Sequence, residues 1–221
     1  YKTSLKYDKF SNLEQFAEKA GGETHISKYT YDRDNRVTAI QYDGAAQKVS
    51  YVYDDLGRVT TRTAECGADA GKLTSNYEYV DGGYGTNSTT PLVKKITQNG
   101  ISFEYEYDSR GNIVSEKRSN LTTTYDYDAL GQLIRVNDPH ENATWIYSYD
   151  CGGNITSKVK YAYTTGTLGT ALETIPYTYG DTNWKDKLTA YNGTAITYDA
   201  IGNPLNDGSW TYEWAVGRQL K

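Results

Sequence analysis

Carboxylates at regular intervals are the most abundant groups in this sequence that could do chemistry. Six aspartates stand at the same place in a recurring Tyr-Asp motif: Asp32, Asp54, Asp108, Asp128, Asp150 and Asp199. Two carboxylates could act as the acid and base of a glycosidase, and spacing alone does not exclude such a pair. An aspartate that begins a turn can instead accept hydrogen bonds from backbone N–H groups ahead of it. We favour this turn-capping role, because a turn signal follows each of the six.

The sequence offers little for metal or nucleophile chemistry. His25 and His140 are the only histidines, and neither has a second ligand at the spacing of a zinc site. Cys66 and Cys151 stand in no motif, so we expect two free thiols, with a disulfide between them as the alternative. Neither a nucleophile elbow nor a phosphate-binding glycine loop is present. The sequence therefore predicts no catalytic residue, no metal, no cofactor and no enzyme activity.

Tryptophans supply the other candidate binding chemistry, because an exposed indole ring offers a flat apolar face for stacking on a sugar. Trp184 lies in a loop-like insertion, so among the four tryptophans it is the one that the sequence most strongly predicts to be exposed. Trp184 and Trp145 are the candidate carbohydrate-binding residues. The alternative is sheet packing, in which Trp145 packs in a strand and Trp210 and Trp214 replace tyrosines in the ladder.

A repeat must position these residues. Its copies are YVYDDLGRVT (51–60), YEYDSRGNIV (105–114), YDYDALGQLI (125–134), YSYDCGGNIT (147–156) and ITYDAIGNPL (196–205). Tyr-x-Tyr puts two rings on one face of a strand, and the aspartate then begins a turn. Three residues later a glycine supplies the positive φ of a type I turn with a G1 bulge. The predicted positive-φ residues are Gly57, Gly111, Gly131, Gly153 and Gly202, with Asn35 in a further copy and Ser11 as the poorest fit.

Such a turn fixes the register of a hairpin. It places Tyr53 opposite Val59 on one face and brings Asp54 to Arg58 on the other. Turns of a second kind alternate with these, and type I′ signals mark them at Asn99-Gly100, Asn192-Gly193 and Asp207-Gly208. The sequence therefore predicts an all-β fold, an antiparallel meander of repeated and strongly twisted hairpins.

Three segments fit this pattern less simply. Residues 12–22 have an N-cap, helical spacing and a glycine stop, which predict a short helix when read alone. In the register of the repeat they predict a strand and a Gly21-Gly22 turn, the interpretation that we favour. Thr164–Thr174 is predicted to be a loop insertion. Pro204 cannot donate to a ladder, so we expect its strand at an edge or at a bulge.

The composition limits the size of the core. Only 37 of the 221 residues are Leu, Ile, Val or Phe, a share at which disorder is usually suspected. Yet 23 tyrosines and a net charge of only −5 favour an ordered, thin structure. The acidic pI of about 5.1 argues against a nucleic-acid partner. Membrane insertion is not predicted, because no apolar run is long enough for a membrane helix. Because the chain has no methionine, we expect residues 1–221 to be one continuous segment of a larger chain.

The repeated YDxxGR[LV] motif, which runs from Tyr7 to Lys221, resembles the RHS/YD-repeat family. That family includes bacterial polymorphic toxins, the C components of insecticidal toxin complexes, wall-associated proteins of Gram-positive bacteria and animal teneurins. The resemblance implies a spiral β-shell that encloses a C-terminal toxin or effector domain of the same parent chain. It also implies a secreted, cell-surface or cell-wall location. Residues 138–141 (DPHE) do not match the Asp-Pro-x-Gly-Leu motif of family toxins, so self-cleavage cannot be assigned to them.

The resemblance leaves a second function open. Family members are often described as carbohydrate-binding, so cell-surface glycans are alternative partners for exposed aromatic side chains. A section of a β-shell would also have exposed strand edges, and these predict edge-to-edge self-association.

Overall fold

The computed structural model describes residues 2–43, 47–67, 71–83, 88–216 and 218–221, and in these ranges it contains strands and turns but no helix. The predicted all-β class is therefore confirmed. The strands are β1 (Lys2–Tyr7), β2 (Leu13–Ala20), β3 (Glu23–Tyr31), β4 (Val37–Tyr42), β5 (Gln47–Tyr53), β6 (Val59–Cys66), β7 (Lys72–Asp81), β8 (Thr89–Gln98), β9 (Ile101–Tyr107), β10 (Ile113–Arg118), β11 (Leu121–Tyr127), β12 (Leu133–Asp138), β13 (Ala143–Tyr149), β14 (Ile155–Ala162), β15 (Glu173–Thr178), β16 (Ala190–Tyr191), β17 (Thr194–Ala195), β18 (Thr197–Tyr198), β19 (Pro204–Asn206), β20 (Trp214–Ala215) and β21 (Gln219–Leu220).

The chain forms two compact units. Unit 1 comprises Tyr1–Glu106 and Lys117–Asn120, and unit 2 comprises Tyr107–Glu116 and Leu121–Lys221. In unit 1, each strand from β1 to β9 pairs antiparallel with the next along the chain. In unit 2, the strands from β11 to β17 do the same, and β18–β19 and β20–β21 form two small separate sheets. The predicted antiparallel meander is confirmed.

The segment with two interpretations is a strand. β2 covers Leu13–Ala20, and both Gly21 and Gly22 have positive φ, at 60° and 94°. The helical spacing of this segment does not produce a helix, because β2 is hydrogen-bonded to β1 on one side and to β3 on the other. The prediction of a strand with a two-glycine turn is confirmed.

The turns of the second kind agree with the sequence at two of three places. Asn99-Gly100 and Asn192-Gly193 have positive φ at both residues, as a type I′ turn requires. The prediction for Asp207-Gly208 was wrong, because Gly208 alone has a positive φ there. Asp207 instead accepts hydrogen bonds from the N–H groups of Ser209 and Trp210.

Pro204 and the predicted loop lie close to where the sequence puts them. Pro204 begins β19 opposite Tyr198, at a point where the register of the pair is interrupted. Between β14 and β15 the chain forms a loop, although its last two predicted residues already belong to β15. The Arg135 guanidinium holds this loop through hydrogen bonds of 2.9 Å to the carbonyl oxygens of Thr164 and Gly166.

The described residues bury few side chains completely. Ala143 and Ile175 are the buried apolar residues, and the buried polar ones are Thr63, Ser75, Thr123, Asn137, Thr144 and Asn203. Most strand side chains are half-buried, as expected where a sheet has no second layer over it. Cys66 and Cys151 are both free and exposed. The fold therefore depends on ladder hydrogen bonds and on contacts between neighbouring hairpins more than on a central core.

Candidate functional site: the aspartate turns

Seven turns in the described chain share one hydrogen-bond network built on an aspartate. Oδ1 of the aspartate accepts from the backbone N–H groups two and four residues ahead, at 2.8–3.0 Å. Its carbonyl oxygen accepts from the N–H three residues ahead, at 3.0–3.3 Å. The seven are Asp8, Asp32, Asp54, Asp108, Asp128, Asp150 and Asp199. The structure thus puts all six sequence-selected aspartates at the first position of a turn and adds Asp8 to them.

The residue three positions after each aspartate has the left-handed backbone conformation. Its φ lies between 61° and 87° in every turn. The residues are Ser11, Asn35, Gly57, Gly111, Gly131, Gly153 and Gly202. Ser11, the poorest fit in the sequence, has a φ of 69° and closes its turn with the same hydrogen bonds as the others. The aspartate network therefore holds this conformation even where the residue is not glycine or asparagine.

Each turn also fixes register through a bulge and a side-chain contact. Tyr53 pairs with Val59, Tyr127 with Leu133 and Tyr149 with Ile155, each next to an interruption of the ladder. The second carboxylate oxygen, Oδ2, accepts from the side chain of the fourth residue after the aspartate, at 2.6–3.3 Å. That donor is an arginine, an asparagine or a glutamine. Both oxygens of the carboxylate are thus engaged within its own turn.

These hydrogen bonds favour the ionised carboxylate. The Arg36 N–H lowers the pKa of Asp32, and the Gln132 N–H lowers the pKa of Asp128. At Asp108 and Asp150 the side-chain amide of the fourth residue lowers the pKa most. At the other three turn aspartates partial burial is the largest effect and raises the pKa, but the hydrogen bonds together outweigh it, so the pKa is lowered there too. A carboxylate with a lowered pKa and hydrogen bonds to both oxygens is a poor general acid.

A second recurring contact joins each hairpin to the one before it. In six hairpins the second tyrosine of Tyr-x-Tyr donates its hydroxyl hydrogen to a backbone carbonyl near the start of the strand that follows the preceding turn, and Tyr198, two residues after Ile196, donates in the same way. The donor–acceptor pairs are Tyr31–Leu13, Tyr53–Val37, Tyr79–Val59, Tyr127–Ile113, Tyr149–Leu133, Tyr179–Ile155 and Tyr198–Leu188, at 2.6–3.1 Å. Burial raises the pKa of all seven phenols.

Sequence reasoning did not anticipate these tyrosine links. We expected the rings to pack across the ladder but assigned no partner to the hydroxyl groups. No constant spacing marks the links, because the donor and acceptor residues are between 10 and 24 positions apart. Tyr79 and Tyr179 belong to the degenerate copies of the repeat and still make this contact. The tyrosine contact is therefore present even where the aspartate turn motif is not.

Trp145 lies in β13 and makes local contacts on both its polar and its apolar parts. Its indole N–H donates to Glu141 Oε2 at 2.9 Å, and Lys158 Nζ stands 3.8 Å from the ring centre. Lys160 Nζ lies 5.2 Å from the same ring. A cation over the ring occupies the π face that a sugar would use.

Trp184 is 49% exposed, but part of its ring lies against the Asp199 turn. A Cβ atom added to Gly202 would fall 2.5 Å from Trp184 Cζ3, so only glycine fits beneath the ring. The structure agrees with the expectation that Trp184 is exposed, although Trp210, for which packing in the ladder was the alternative, is exposed to 70%. The Asp207 turn explains this, since it holds the Trp210 backbone and leaves the side chain in solvent. Trp145 and Trp184 as carbohydrate-binding residues remain predictions.

The described residues contain no cluster of three histidine, cysteine or acidic side chains arranged to hold a metal ion. Among the same residues, no helix is long and apolar enough to cross a bilayer. The aspartate turns close hairpins at one edge of a sheet, and the tyrosine hydroxyl groups tie successive hairpins together.

Comparison with known sequences gives relatives of much greater length. The family model described as Teneurin YD-shell matches residues 78–185. The tRNA3(Ser)-specific nuclease WapA of Bacillus spizizenii and the tRNA nuclease WapA of Bacillus subtilis are each 29% identical over 142 residues, which is 63% of this chain. Teneurin-3 of Mus musculus is 28% identical over 151 residues, or 60% of this chain. The chain covers only 6% of the two WapA proteins and 5% of teneurin-3.

Solved structures share the fold over almost the whole chain. The crystal structure of TcdB2-TccC3-Cdc42 matches with a TM-score of 0.65 and 16% identity over 96% of this chain. The Tc holotoxin pore of Photorhabdus luminescens matches with a TM-score of 0.63 and 16% identity over 99%. This chain covers 13% of the matched chain in each case.

Proposed function

Because the chain belongs to the RHS/YD-repeat family, we propose that it is a non-catalytic section of a β-shell that encloses a C-terminal toxin or effector domain of the same parent chain. Residues 1–221 are then one continuous stretch of the shell wall. The parent protein is secreted or displayed at the cell surface or in the cell wall. The wall acts by keeping the enclosed domain away from solvent and from other molecules.

The observation that carries this proposal is the double linkage of the hairpins. Each turn is closed by its own aspartate, and each hairpin is tied to the preceding one by a tyrosine hydroxyl, as Tyr53 is to Val37. A sheet with little core depends on such links to keep its strands paired and its hairpins in contact. The carboxylates that might have been catalytic are occupied by these structural contacts, which supports a mechanical role over an enzymatic one.

Limited proteolysis of the full parent chain tests the proposal. The domain that lies C-terminal to the repeats is expected to resist a protease in the wild-type chain. It should become cleavable when the turn aspartates Asp54 and Asp128 are both replaced by alanine, because both turns then lose their N–H acceptors. Asp55→Ala is the matched control, since Asp55 is exposed and makes no turn hydrogen bond.

Circular dichroism of the double variant should still show a sheet, so that cleavage reports an opened wall and not a wholly unfolded chain. Equal cleavage of the C-terminal domain in the wild type and in the variant would overturn the encapsulation proposal.

Binding of cell-surface glycans is the second candidate, and the half-exposed ring of Trp184 favours it. A glycan array would decide the matter. Binding that disappears in Trp184→Ala but persists in Trp210→Ala would support a sugar site at Trp184, whereas no binding by the wild type would end the idea.

A further inference from the structure

Three aspartate turns of unit 1 stand side by side along one edge of its sheet. They follow β1, β3 and β5, so neighbouring turns are two strand spacings, about 10 Å, apart. Asn12 Nδ2 donates to Asn35 Oδ1 at 2.9 Å and joins the first turn to the second. Arg36 Nη1 donates to the Asp54 carbonyl oxygen at 3.3 Å and joins the second to the third. The three turns therefore form one held row.

Each of these turns presents two exposed side chains at its tip. The tips are Lys9-Phe10, Arg33-Asp34 and Asp55-Leu56. Phe10 and Leu56 are each 67% exposed, although both are large apolar residues. The turn aspartate holds the backbone N–H of the second tip residue in all three cases. The side chains thus project from a fixed backbone, and little further chain entropy would be lost on binding a partner.

The order of these side chains makes the edge complementary to itself. The first tip has a cation and an apolar side chain, the third has an anion and an apolar side chain, and the middle tip has one charge of each sign. A two-fold axis through the middle tip would bring the first tip of one copy to the third tip of the other. The middle tip would then meet its own counterpart. An isologous interface requires this kind of self-complementarity.

The charges at the tips are largely free to pair with a partner. Arg33 and Asp55 make no hydrogen bond or ion pair with any residue that the structure describes. Lys9 lies 4.9 Å from the Phe10 ring centre, and its charge also lowers the pKa of Asp8. Asp34 has one ion pair, with Arg36 at 2.9 Å, and is still exposed.

Unit 2 lacks this symmetry. Its corresponding tips are Ser109-Arg110, Ala129-Leu130 and Cys151-Gly152, which together carry a single charge. Leu130 is nevertheless 83% exposed at the tip of an aspartate turn. Unit 2 therefore supplies a matched control with the same turn and the same apolar side chain but without the charge pattern.

We propose that the row of aspartate turns in unit 1 is a homodimer interface, in which a second copy of this chain docks about a two-fold axis through the Arg33-Asp34 tip. The contact runs turn against turn and leaves the strand edges unpaired. It is small, so the dimer is weak and its formation depends on ionic strength.

Sedimentation equilibrium of the full chain at low and high salt tests this interface. The wild type is expected to dimerise with rising concentration, and more strongly at low salt. Leu56→Ser should raise the dissociation constant roughly tenfold, because it removes an apolar side chain from the centre of each turn contact. Leu130→Ser should leave it unchanged. A monomer at every concentration, or equal effects of the two serine variants, would overturn the proposal.

Charge exchange tests the predicted pairing between turns. Lys9→Asp and Asp55→Lys alone should each weaken the dimer by about fivefold, because each brings like charges together. The double variant Lys9→Asp/Asp55→Lys should recover the wild-type dissociation constant. Failure to recover it, with unchanged thermal unfolding of all three variants, would show that the first and third tips do not meet.

Discussion

The turns of the two units close alike but connect to their neighbours differently. In unit 1, Arg36 binds its own Asp32 and also reaches the next repeat, where it donates to the Asp54 carbonyl and lies 5.0 Å from the Tyr53 ring centre. In unit 2, Gln132 stands at the same place in its turn and binds Asp128. Its Oε1 atom is buried and has no hydrogen-bond partner among the described residues.

This difference separates two tasks that the repeat motif combines. Closing a turn needs only an N–H donor near Oδ2, and arginine, asparagine and glutamine all provide one. Reaching the next repeat needs a further donor. Arg36 supplies one to the Asp54 carbonyl oxygen, and asparagine side chains supply others, as Asn12 does to Asn35 and Asn154 does to Asp186. The Asp32 turn therefore has two links to the next hairpin, Arg36 and Tyr53. In unit 2, Arg110 links the Asp108 turn to the Ala129 carbonyl oxygen at 2.7 Å, but Gln132 supplies no such link, so the contact between the Asp128 turn and the next hairpin depends more on Tyr149.

The largest expected effect comes from the glycine at the left-handed position. Gly57→Ala should cost roughly 1–2 kcal/mol of unfolding free energy, because an L residue is strained at a φ of 81° while its Cβ meets only the flexible end of Arg36. Gly202→Ala should cost about 2–5 kcal/mol, because its Cβ would also collide with the Trp184 ring. Urea denaturation measures both.

Two further variants sharpen this comparison. Gly57→Asn should be milder than Gly57→Ala, because Asn35 already has the same conformation in the neighbouring turn. Trp184→Ala should reduce the extra cost of Gly202→Ala. If Gly57→Ala and Gly202→Ala prove equally damaging, the ring does not rest on the Asp199 turn.

Loss of the tyrosine hydroxyl should matter more in unit 2 than in unit 1. Tyr149→Phe should cost about 1 kcal/mol, because it removes the hydrogen bond to Leu133 and leaves its carbonyl without that donor. Tyr53→Phe removes the equivalent bond to Val37, but Arg36 still contacts the ring and the next turn. We therefore expect Tyr53→Phe to lower the stability, measured by thermal unfolding, less than Tyr149→Phe does. A larger loss of stability for Tyr53→Phe would show that the Arg36 contacts do not stabilise the hairpin.

Installing an arginine at position 132 of unit 2 should stabilise the chain slightly. Gln132 precedes Asp150 by 18 residues and Tyr149 by 17, the same spacings that separate Arg36 from Asp54 and Tyr53. Gln132→Arg should therefore gain about 0.5–1 kcal/mol by contacting the next carbonyl and ring and by removing the unpaired Oε1 atom. Gln132→Lys is the control, because it adds the charge without the planar donor group. Equal gains from both would assign the effect to charge alone.

The sequence was informative wherever a contact is local. Asp54, Gly57 and Arg58 lie within five residues, so turn, bulge and register follow from their order alone. The tyrosine links and the contact between Trp184 and Gly202 were not anticipated, because they join residues 10 to 24 apart and depend on how one hairpin lies against the next. The type I′ turn predicted from Asp207-Gly208 is not formed. The Asp207 side chain instead accepts hydrogen bonds from the N–H groups of Ser209 and Trp210, and these hydrogen bonds favour a different turn.

The smallest expected effect is a difference in how salt acts on the turn carboxylates. The Arg36 N–H lowers the pKa of Asp32 most, with further lowering from the Arg36 side chain and its charge. The pKa of Asp128 is lowered by hydrogen bonds from Gln132, Leu130 and Gly131, which are all uncharged. Both folded pKa values lie below the unfolded one of about 3.9, so the stability they give is present above pH 4 and is lost as the pH falls through the folded value.

Added salt should therefore raise the pKa of Asp32 towards its usual value and leave that of Asp128 almost unchanged, because salt screens charges more than it weakens hydrogen bonds between neutral donors and the carboxylate. Carboxyl carbon NMR titrations at low and high salt measure both groups in one sample. In Arg36→Gln, Asp32 should lose its salt dependence and titrate as Asp128 does. If the two aspartates respond equally to salt in the wild-type chain, the arginine charge does not distinguish the turns of unit 1, and the difference between the units reduces to the reach of the side chain.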